Sequence, residues 1–406
     1  MTLAVAATLV AANMLGGLVA TLPSAGADPA FYNPPKPLPA GANGDVIKSE
    51  SFTYSGATAK KIMYLSRDSK DRAIPVTGTV LVPTTPWTGQ GGRPIVAYAP
   101  FTSGMGDQCA VSKQLSGEAA SDIVGSVQGQ FISALLGKGF AVAQTDYEGL
   151  GVPDAEHSYV MRRAEAHAVL DVLRAAQRLP GSGLPSNGPL GIVGYSEGGS
   201  GSASAAEMAS SYAPELNIKG AYAGAVPADK AVLSTSLDGA YAAGFLAFAL
   251  VGINKAYPES RLFDLANQAG ADLFVAATKM CTLDAIFGLA FKQTSTLTKD
   301  GKPVAAYLAQ EPFKTIVADL RIGNLKPSMP VLVEHTPSDD IVPYGQGKQL
   351  AKDWCGKGAS VQFNDLVSLF PFFSHAMSAF GASGNAANWI ADRMNGAPAP
   401  TNCGRF

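Results

Sequence analysis

Three short stretches, far apart in the chain, hold residues that could do nucleophilic chemistry together. In the first, Gly194-Tyr195-Ser196-Glu197-Gly198, one serine sits inside a G-x-S-x-G pattern. The apolar run before it ("LGIVGY") reads as a strand, and the small-residue run after it ("GGSGSASAA") reads as a helix. That strand-turn-helix setting is what the pattern requires. The turn is so sharp that a Cβ at the flanking positions would strike a neighbouring strand or helix, so glycine is needed there. The serine hydroxyl then stands at the carboxyl edge of a sheet, above a helix N-terminus. The backbone N–H of Glu197 points toward the oxygen of a group under attack.

A serine hydroxyl is a weak nucleophile and needs a base. The chain has four histidines. In folds that carry this turn, the order along the chain is serine, acid, histidine. His157 and His167 precede the serine, at or within a predicted helix, and read as surface or helix-packing residues. His335 ends the predicted strand "PVLVEH" and comes too early in that order. His375, in "FPFFSHAMSA", falls in a predicted loop after the last strand and is the expected base. For the acid, "EHTPSDDIVPY" offers Asp339 and Asp340. One carboxylate would orient the imidazole and stabilise its positive form. Two adjacent aspartates cannot both reach one ring, so the other is expected to be a solvated turn residue. Residue chemistry alone does not choose between them. A second oxyanion donor is expected from the loop "APFTSGMGDQCA", where Ser103 or Thr102 could supply a backbone N–H. The implied chemistry is acyl transfer, which needs neither a metal nor an organic cofactor.

These residues must be carried by a sheet. Strand-like stretches recur: "SFTYSG", "KKIMYLSRD", "IPVTGTVLVP", "PIVAYAP", "AVAQTDYEG", "LGIVGY", "IKGAYAGAV", "PVLVEH" and "SVQFNDL". Helical patterns lie between several of them. In one, Met161, Ala164, Ala168, Val172, Ala175 and Leu179 share a face, and Pro180-Gly181 stops it. Alternating strands and helices predict an α/β fold with a mostly parallel sheet covered on both faces. The rhythm breaks from about Pro227 to Ile322, where strand signal is scarce and Ala, Leu and Phe abound. That stretch is expected to be a helical cap insertion. Its most apolar part, "LDGAYAAGFLAFALVGI", is short for a membrane span. Its apolar face could serve as core alone, line an acyl-chain pocket, or meet a lipid surface.

Composition bounds the rest. Of 406 residues, 47% are apolar and 15% charged, with net charge −2 and scattered Lys and Arg, which gives no basic surface for nucleic acid. The first 27 residues read as an export signal: an apolar run, then Ala25-Gly26-Ala27 before Asp28. The alternative is an uncleaved anchor helix. Either way the remainder, 28–406, is expected outside the cytoplasm, secreted or in the cell envelope. Cys109, Cys281, Cys355 and Cys403 are an even set in an exported chain, without the tight pairing of a zinc site. Three connectivities are open. Cys355–Cys403, which would pin the C-terminal tail, together with Cys109–Cys281, is the favoured one.

The pieces "TSGMGDQCA", "TDYEGLG", "GYSEGG", "SYAPELNIKGAYAGAVPAD", "HTPSDDIVPY", "WCGKGASVQF" and "SHAMSA" resemble the secreted lipases similar to Candida lipase A, within the α/β-hydrolases. The resemblance covers nearly all of the chain after the export signal. It implies an α/β-hydrolase fold and a helical cap, matching 227–322, that shapes an acyl tunnel. It assigns Ser196 as nucleophile, His375 as base and Asp339, rather than Asp340, as acid. It puts the oxyanion-loop residue at Ser103, with Thr102 one step away, and implies the same two disulfides. The expected activity is hydrolysis of carboxylic esters, most of all triacylglycerols, by a monomer acting on lipid at or near a lipid–water interface. Short-chain or polymeric esters are the alternative within that class. A peptidase on the same scaffold and a non-catalytic envelope binding protein are the rivals from other classes. One departure stands out. The residue after the serine is acidic, and an inward-turned carboxylate would oppose an oxyanion. Glu197 is therefore expected to turn away and bond locally, where a helix N-terminus favours negative charge.

Overall fold

The computed structural model describes residues 30–368 and 372–406. The expected export signal, residues 1–27, lies outside the described residues. Nine strands form one sheet: β1 (Val46–Tyr54), β2 (Ala57–Arg67), β3 (Ala73–Pro83), β4 (Ile95–Ala99), β5 (Ala141–Glu148), β6 (Leu190–Tyr195), β7 (Ile218–Gly224), β8 (Val331–His335) and β9 (Val361–Asp365). Their order is β1-β2-β3-β5-β4-β6-β7-β8-β9. The pairs β1–β2, β2–β3 and β3–β5 are antiparallel; all pairs from β5–β4 to β8–β9 are parallel. Every residue of β4, β6 and β8 is buried. Their near-continuous apolar runs follow from helices lying on both faces, as parallel strands require.

The helices are α1 (Val111–Leu115), α2 (Ile123–Gly137), α3 (Arg162–Arg178), α4 (Glu197–Tyr212), α5 (Lys230–Leu237), α6 (Ala243–Ala256), α7 (Gln268–Ala277), α8 (Thr282–Gly288), α9 (Val304–Leu308), α10 (Phe313–Leu320), α11 (Tyr344–Gly356) and α12 (Ser374–Met394). On one face, Val169, Val172 and Leu173 of α3, the alanines of α4 and Trp354 of α11 pack against the sheet. On the other, Phe131 and Leu135 of α2 meet Ala382, Ala386 and Ile390 of α12. Side-chain caps start several helices. Asp122 accepts the Gly125 N–H ahead of α2, Asp229 those of Ala231 and Val232 in α5, and Asn267 that of Gly270 in α7. Each satisfies N–H groups that a first helical turn leaves open.

Between β7 and β8 the described chain is helical, α5 to α10. This segment has an apolar core of its own, built on Phe245, Phe248 and Leu250 of α6 with Val304, Phe313 and Leu320. The body contributes Tyr159, Met161, Ile341 and Val342 to it. Its two necks touch, since Ile322 N–H donates to the Ala228 carbonyl at 2.9 Å. The apolar stretch of α6 is thus satisfied by packing, and no helix among the described residues is long and apolar enough to cross a membrane. Both disulfides are formed. Cys109–Cys281 joins the loop after β4 to the start of α8, and Cys355–Cys403 ties α11 to the C-terminal tail.

One local expectation is corrected. His375 is not in a loop but is the second residue of α12. The stretch "SAFGASGNAAN" has no strong apolar period, because its buried face is made of small residues, Ser378, Ala379, Ala382, Ser383, Ala386 and Ala387. The helix is set by tertiary contact more than by local pattern.

Candidate active site

Ser196 caps α4 with φ 58° and ψ −119°, a conformation that side chains rarely adopt. The strain is held by neighbours on both sides. Ser196 N–H donates to the Gly224 carbonyl at 2.9 Å, and its own carbonyl accepts from Ser200 N–H at 2.9 Å. The flanking glycines are steric necessities. A Cβ on Gly194 would lie 1.9 Å from the Gly198 carbonyl oxygen, and one on Gly198 would lie 2.0 Å from that of Ala99. Glu197 opens α4, so its N–H has no acceptor one turn back in the helix.

The three chain-distant residues meet. His375 Nε2 lies 2.9 Å from Ser196 Oγ. His375 Nδ1 lies 2.8 Å and 3.0 Å from the two Asp339 carboxylate oxygens. Asp339 is held in turn. Its Oδ1 accepts the N–H groups of Ile341 at 3.0 Å and Val342 at 2.7 Å. Burial alone would raise its pKa, but the charge of His375 and hydrogen bonds from His335 and His375 outweigh this and hold it well below the usual carboxylate range. The histidine between them is anchored by its backbone as well. Tyr195 O–H donates to the His375 carbonyl at 2.7 Å.

Asp340 does not reach the imidazole. Its carboxylate accepts the His375 backbone N–H at 3.0 Å and faces the Ser374 hydroxyl at 3.3 Å. It is exposed, as expected, but it also caps α12 and so holds the residue whose ring Asp339 orients. Chain order excludes His335 as the base, yet the residue belongs to the site. It lies buried against the acid, with Nε2 2.9 Å from the Val342 carbonyl and 3.2 Å from Asp339 Oδ2. Its position at the end of β8, one helical turn's count before Asp339, was the available signal.

Glu197 is 2% exposed and turns away from Ser196 into the protein, where Oε1 meets His157 Nε2 at 2.9 Å. His157 is neither on the surface nor in a helix; it lies in the chain between β5 and α3, buried. His167 does pack within α3, stacked on Tyr212 with ring centroids 4.1 Å apart. Next to Glu197, Glu165 receives the Ser200 hydroxyl at 2.6 Å, and burial followed by the Glu197 charge pushes its pKa up to about 8. Burial lowers Lys230 to about 8.

The loop that carries Thr102 and Ser103 is bonded to the helical segment. Thr282 N–H donates to the Ser103 carbonyl at 3.0 Å, and Thr282 Oγ1 to the Thr102 carbonyl at 2.6 Å. Because the Thr102 carbonyl is drawn toward Thr282, the trans peptide turns the Ser103 N–H the opposite way. Thr102 itself lines a cavity of about 180 Å³ that also exposes Ser196 and His375. Its walls are apolar: Val124 and Val127 from α2, Phe245 from α6, Leu283 and Ile286 from α8, and Ala379 from α12. A second, smaller cavity of about 50 Å³ lies within the helical segment and holds none of these polar groups.

A mostly parallel sheet with helices on both faces, and a serine on a strained turn at the carboxyl end of β6, make this an α/β-hydrolase fold. Residues 117–402 match the model of the secretory lipase family. The chain belongs to that family; it is a secreted carboxylic ester hydrolase. A secreted triacylglycerol lipase of Malassezia globosa is 26% identical over 386 residues, spanning 92% of this chain and 82% of that one. A probable inactive lipase of Mycobacterium tuberculosis is 28% identical over 387 residues, 91% of this chain and 83% of the other. The structure of Candida antarctica lipase A in its closed state superposes with TM-score 0.81 at 24% identity, covering 93% of this chain and 88% of that chain, a likeness of fold.

Proposed function

We propose that this protein hydrolyses apolar carboxylic esters, acylglycerols foremost, through an acyl-enzyme on Ser196. The Ser196 Oγ attacks the ester carbonyl carbon as its proton passes to His375 Nε2. Asp339 holds the imidazole in register and stabilises its positive form. The carbonyl oxygen, now negative, is received by the N–H groups of Glu197 and Ser103. The intermediate collapses, and His375 returns the proton to the departing alkoxide, so an alcohol leaves. Water then enters, gives a proton to His375 and attacks the acyl carbon; as the Ser196 Oγ–acyl bond breaks, His375 returns that proton to Oγ, and the acid and the free serine are released. Residues 1–27 act as the export signal, and the segment 227–322 acts as the cap over the acyl chain.

The observation that carries this reading is the continuous path from Ser196 Oγ through the His375 ring to Asp339, opening into an apolar cavity. Exposed apolar side chains on the elements that line the cavity favour a bulky or aggregated substrate. Ile123, which lines it, is 61% exposed, Phe287 on α8 is 81% exposed, and Phe373, just before α12, is 61% exposed. Ile123 borders the cavity, Phe287 follows the lining residue Ile286, and Phe373 closely precedes the lining residue His375 in the chain; such exposed apolar side chains suit contact with a lipid surface. The name of the Malassezia relative points the same way, toward triacylglycerol. The deciding experiment is a series of p-nitrophenyl esters from acetate to palmitate, with emulsified triacylglycerol beside it. The proposal expects kcat/KM to rise toward medium or long acyl chains. A maximum at acetate with no turnover of triacylglycerol would replace it with the short-ester reading.

A further inference from the structure

The carboxylate next to the nucleophile raises a question of its own. Glu197 contributes the proposed oxyanion donor from its backbone while its side chain is an acid buried within the same residue. An uncompensated negative charge there would oppose the negative oxygen that the N–H must receive. The structure supplies a partner whose hydrogen bonding is already determined. His157 Nδ1 lies 2.8 Å from the Glu148 backbone carbonyl, which can only accept, so Nδ1 carries a proton. His157 Nε2 then faces Glu197 Oε1 at 2.9 Å. Between those two atoms one proton is shared. Whether it sits on the carboxyl or on the ring, the pair is neutral overall.

The ring is also clamped. Tyr147 stacks on one side with centroids 6.0 Å apart, and Tyr159 meets it edge-on at 6.0 Å. Tyr159 O–H hydrogen-bonds the Thr102 hydroxyl at 2.8 Å, and Thr102 also hydrogen-bonds the Glu197 carboxyl. One buried network therefore joins the first residue of α4 to the loop after β4, the two elements that carry the proposed donors.

We propose that His157 is a positioning residue: by sharing a proton with Glu197 it keeps that carboxyl neutral as a pair and locks the two halves of the oxyanion site together. This rests on the proposed acyl-transfer reading, and concerns how well the site works, not what it does. The other titratable groups facing the pair are Glu148 and Tyr147 at the end of β5, Tyr159, and Glu165 of α3 with Lys230 of α5 beyond it. None of them can replace the histidine. Glu148 and Glu165 are acids, burial pushes both tyrosines up, and Lys230 is bonded to the Pro227 carbonyl at 2.6 Å.

The test is a cycle of full-length variants, His157→Gln, Glu197→Gln and the double variant, assayed on p-nitrophenyl butyrate between pH 6 and 9, with melting temperature measured alongside. His157→Gln should lower kcat roughly tenfold to a hundredfold, short of the roughly 10²–10³ that loss of an oxyanion donor costs. KM should stay within about twofold, because the pair acts on the transition state. The deficit should widen as pH rises and Glu197 loses its proton with no ring to share it. Adding Glu197→Gln should recover most of the lost kcat and flatten that pH dependence. A fall in melting temperature with kcat unchanged would reduce His157 to a packing residue. A loss of kcat that Glu197→Gln does not relieve would overturn the charge argument. If His157→Gln does not fold, Glu197→Gln against the double variant keeps the comparison. The two should match in kcat, since no charge is left to neutralise, and a slower double variant would contradict the proposal. An inert parent chain with Ser196 unlabelled by a fluorophosphonate would instead strike the acyl-transfer reading itself.

Discussion

Two regions meet at Ser196, and they are built by opposite rules. The corner around Ser196 is polar and over-determined. Ser196 is pinned by two backbone bonds, His375 by its ring and its backbone, and Asp339 by two N–H groups and two histidines. The wall contributed by the helical segment is apolar. It meets the cavity through Phe245, Leu283 and Ile286, side chains that make no hydrogen bond. Displacing one atom in the corner leaves a buried polar group unpaired, which costs far more than the bond was worth. Displacing one in the wall changes a volume. The corner should therefore tolerate almost nothing, and the wall should trade one substrate for another.

The largest effect should come from the corner. Asp339→Asn would leave the shape intact but favour the wrong imidazole tautomer, and kcat should fall by roughly 10³–10⁴. Asp340→Asn keeps a side-chain oxygen that can accept the His375 N–H and should cost kcat less than about tenfold, with stability nearly unchanged. Steady-state kinetics of the two variants check this, and equal losses would dissolve the distinction between them.

Much of the corner was legible before any coordinates. Nine apolar strand runs, the glycine-flanked serine and the single histidine in the right order led to Ser196 and His375, and the resemblance selected Asp339. What stayed hidden depends on contacts that chain order does not encode. His157 lies far upstream in an unremarkable loop, and only the fold sets it against Glu197. His335 and Asp340 support the corner through contacts, to Asp339 and to the His375 N–H, that chain order does not encode. The start of α12 was hidden by small residues whose helix is stabilised by the sheet. Glu197 did carry a signal: an acid beside a strained nucleophile demands a partner.

Between corner and wall lies the seam, where Cys109–Cys281 closes a loop of 172 residues. Replacing both cysteines by serine should lower stability by about 2–5 kcal/mol. Because that seam also aligns Ser103 with Thr282, kcat should drop more than KM rises. Thermal melting and kinetics together test it. In the wall, Ile286→Trp should fill the cavity and move the preferred ester toward shorter acyl chains, by about tenfold or more in kcat/KM ratio, since each methylene in an apolar pocket is worth about 1–3 kcal/mol. The ester series reads the shift.

The smallest effect is a matter of pH. Glu165, held near 8 in the fold against an ordinary value near 4.5, keeps a proton that the unfolded chain has released. Stability from this group therefore declines as pH rises from about 4.5 to about 8. Glu165→Gln should remove that slope, melting close to the parent at pH 4.5 and several degrees above it at pH 8. A melting-temperature series across that range measures it.

If Ser196, activated by His375, forms the acyl-enzyme, one hydroxyl should carry all of the ester turnover. The most direct measurement is fluorophosphonate labelling followed by mass spectrometry of the modified peptide, on the parent chain and on Ser196→Ala. One adduct is expected, on Ser196, abolished together with ester turnover in a variant that keeps its circular dichroism. An adduct elsewhere, or ester hydrolysis at the parent rate by Ser196→Ala, would contradict it.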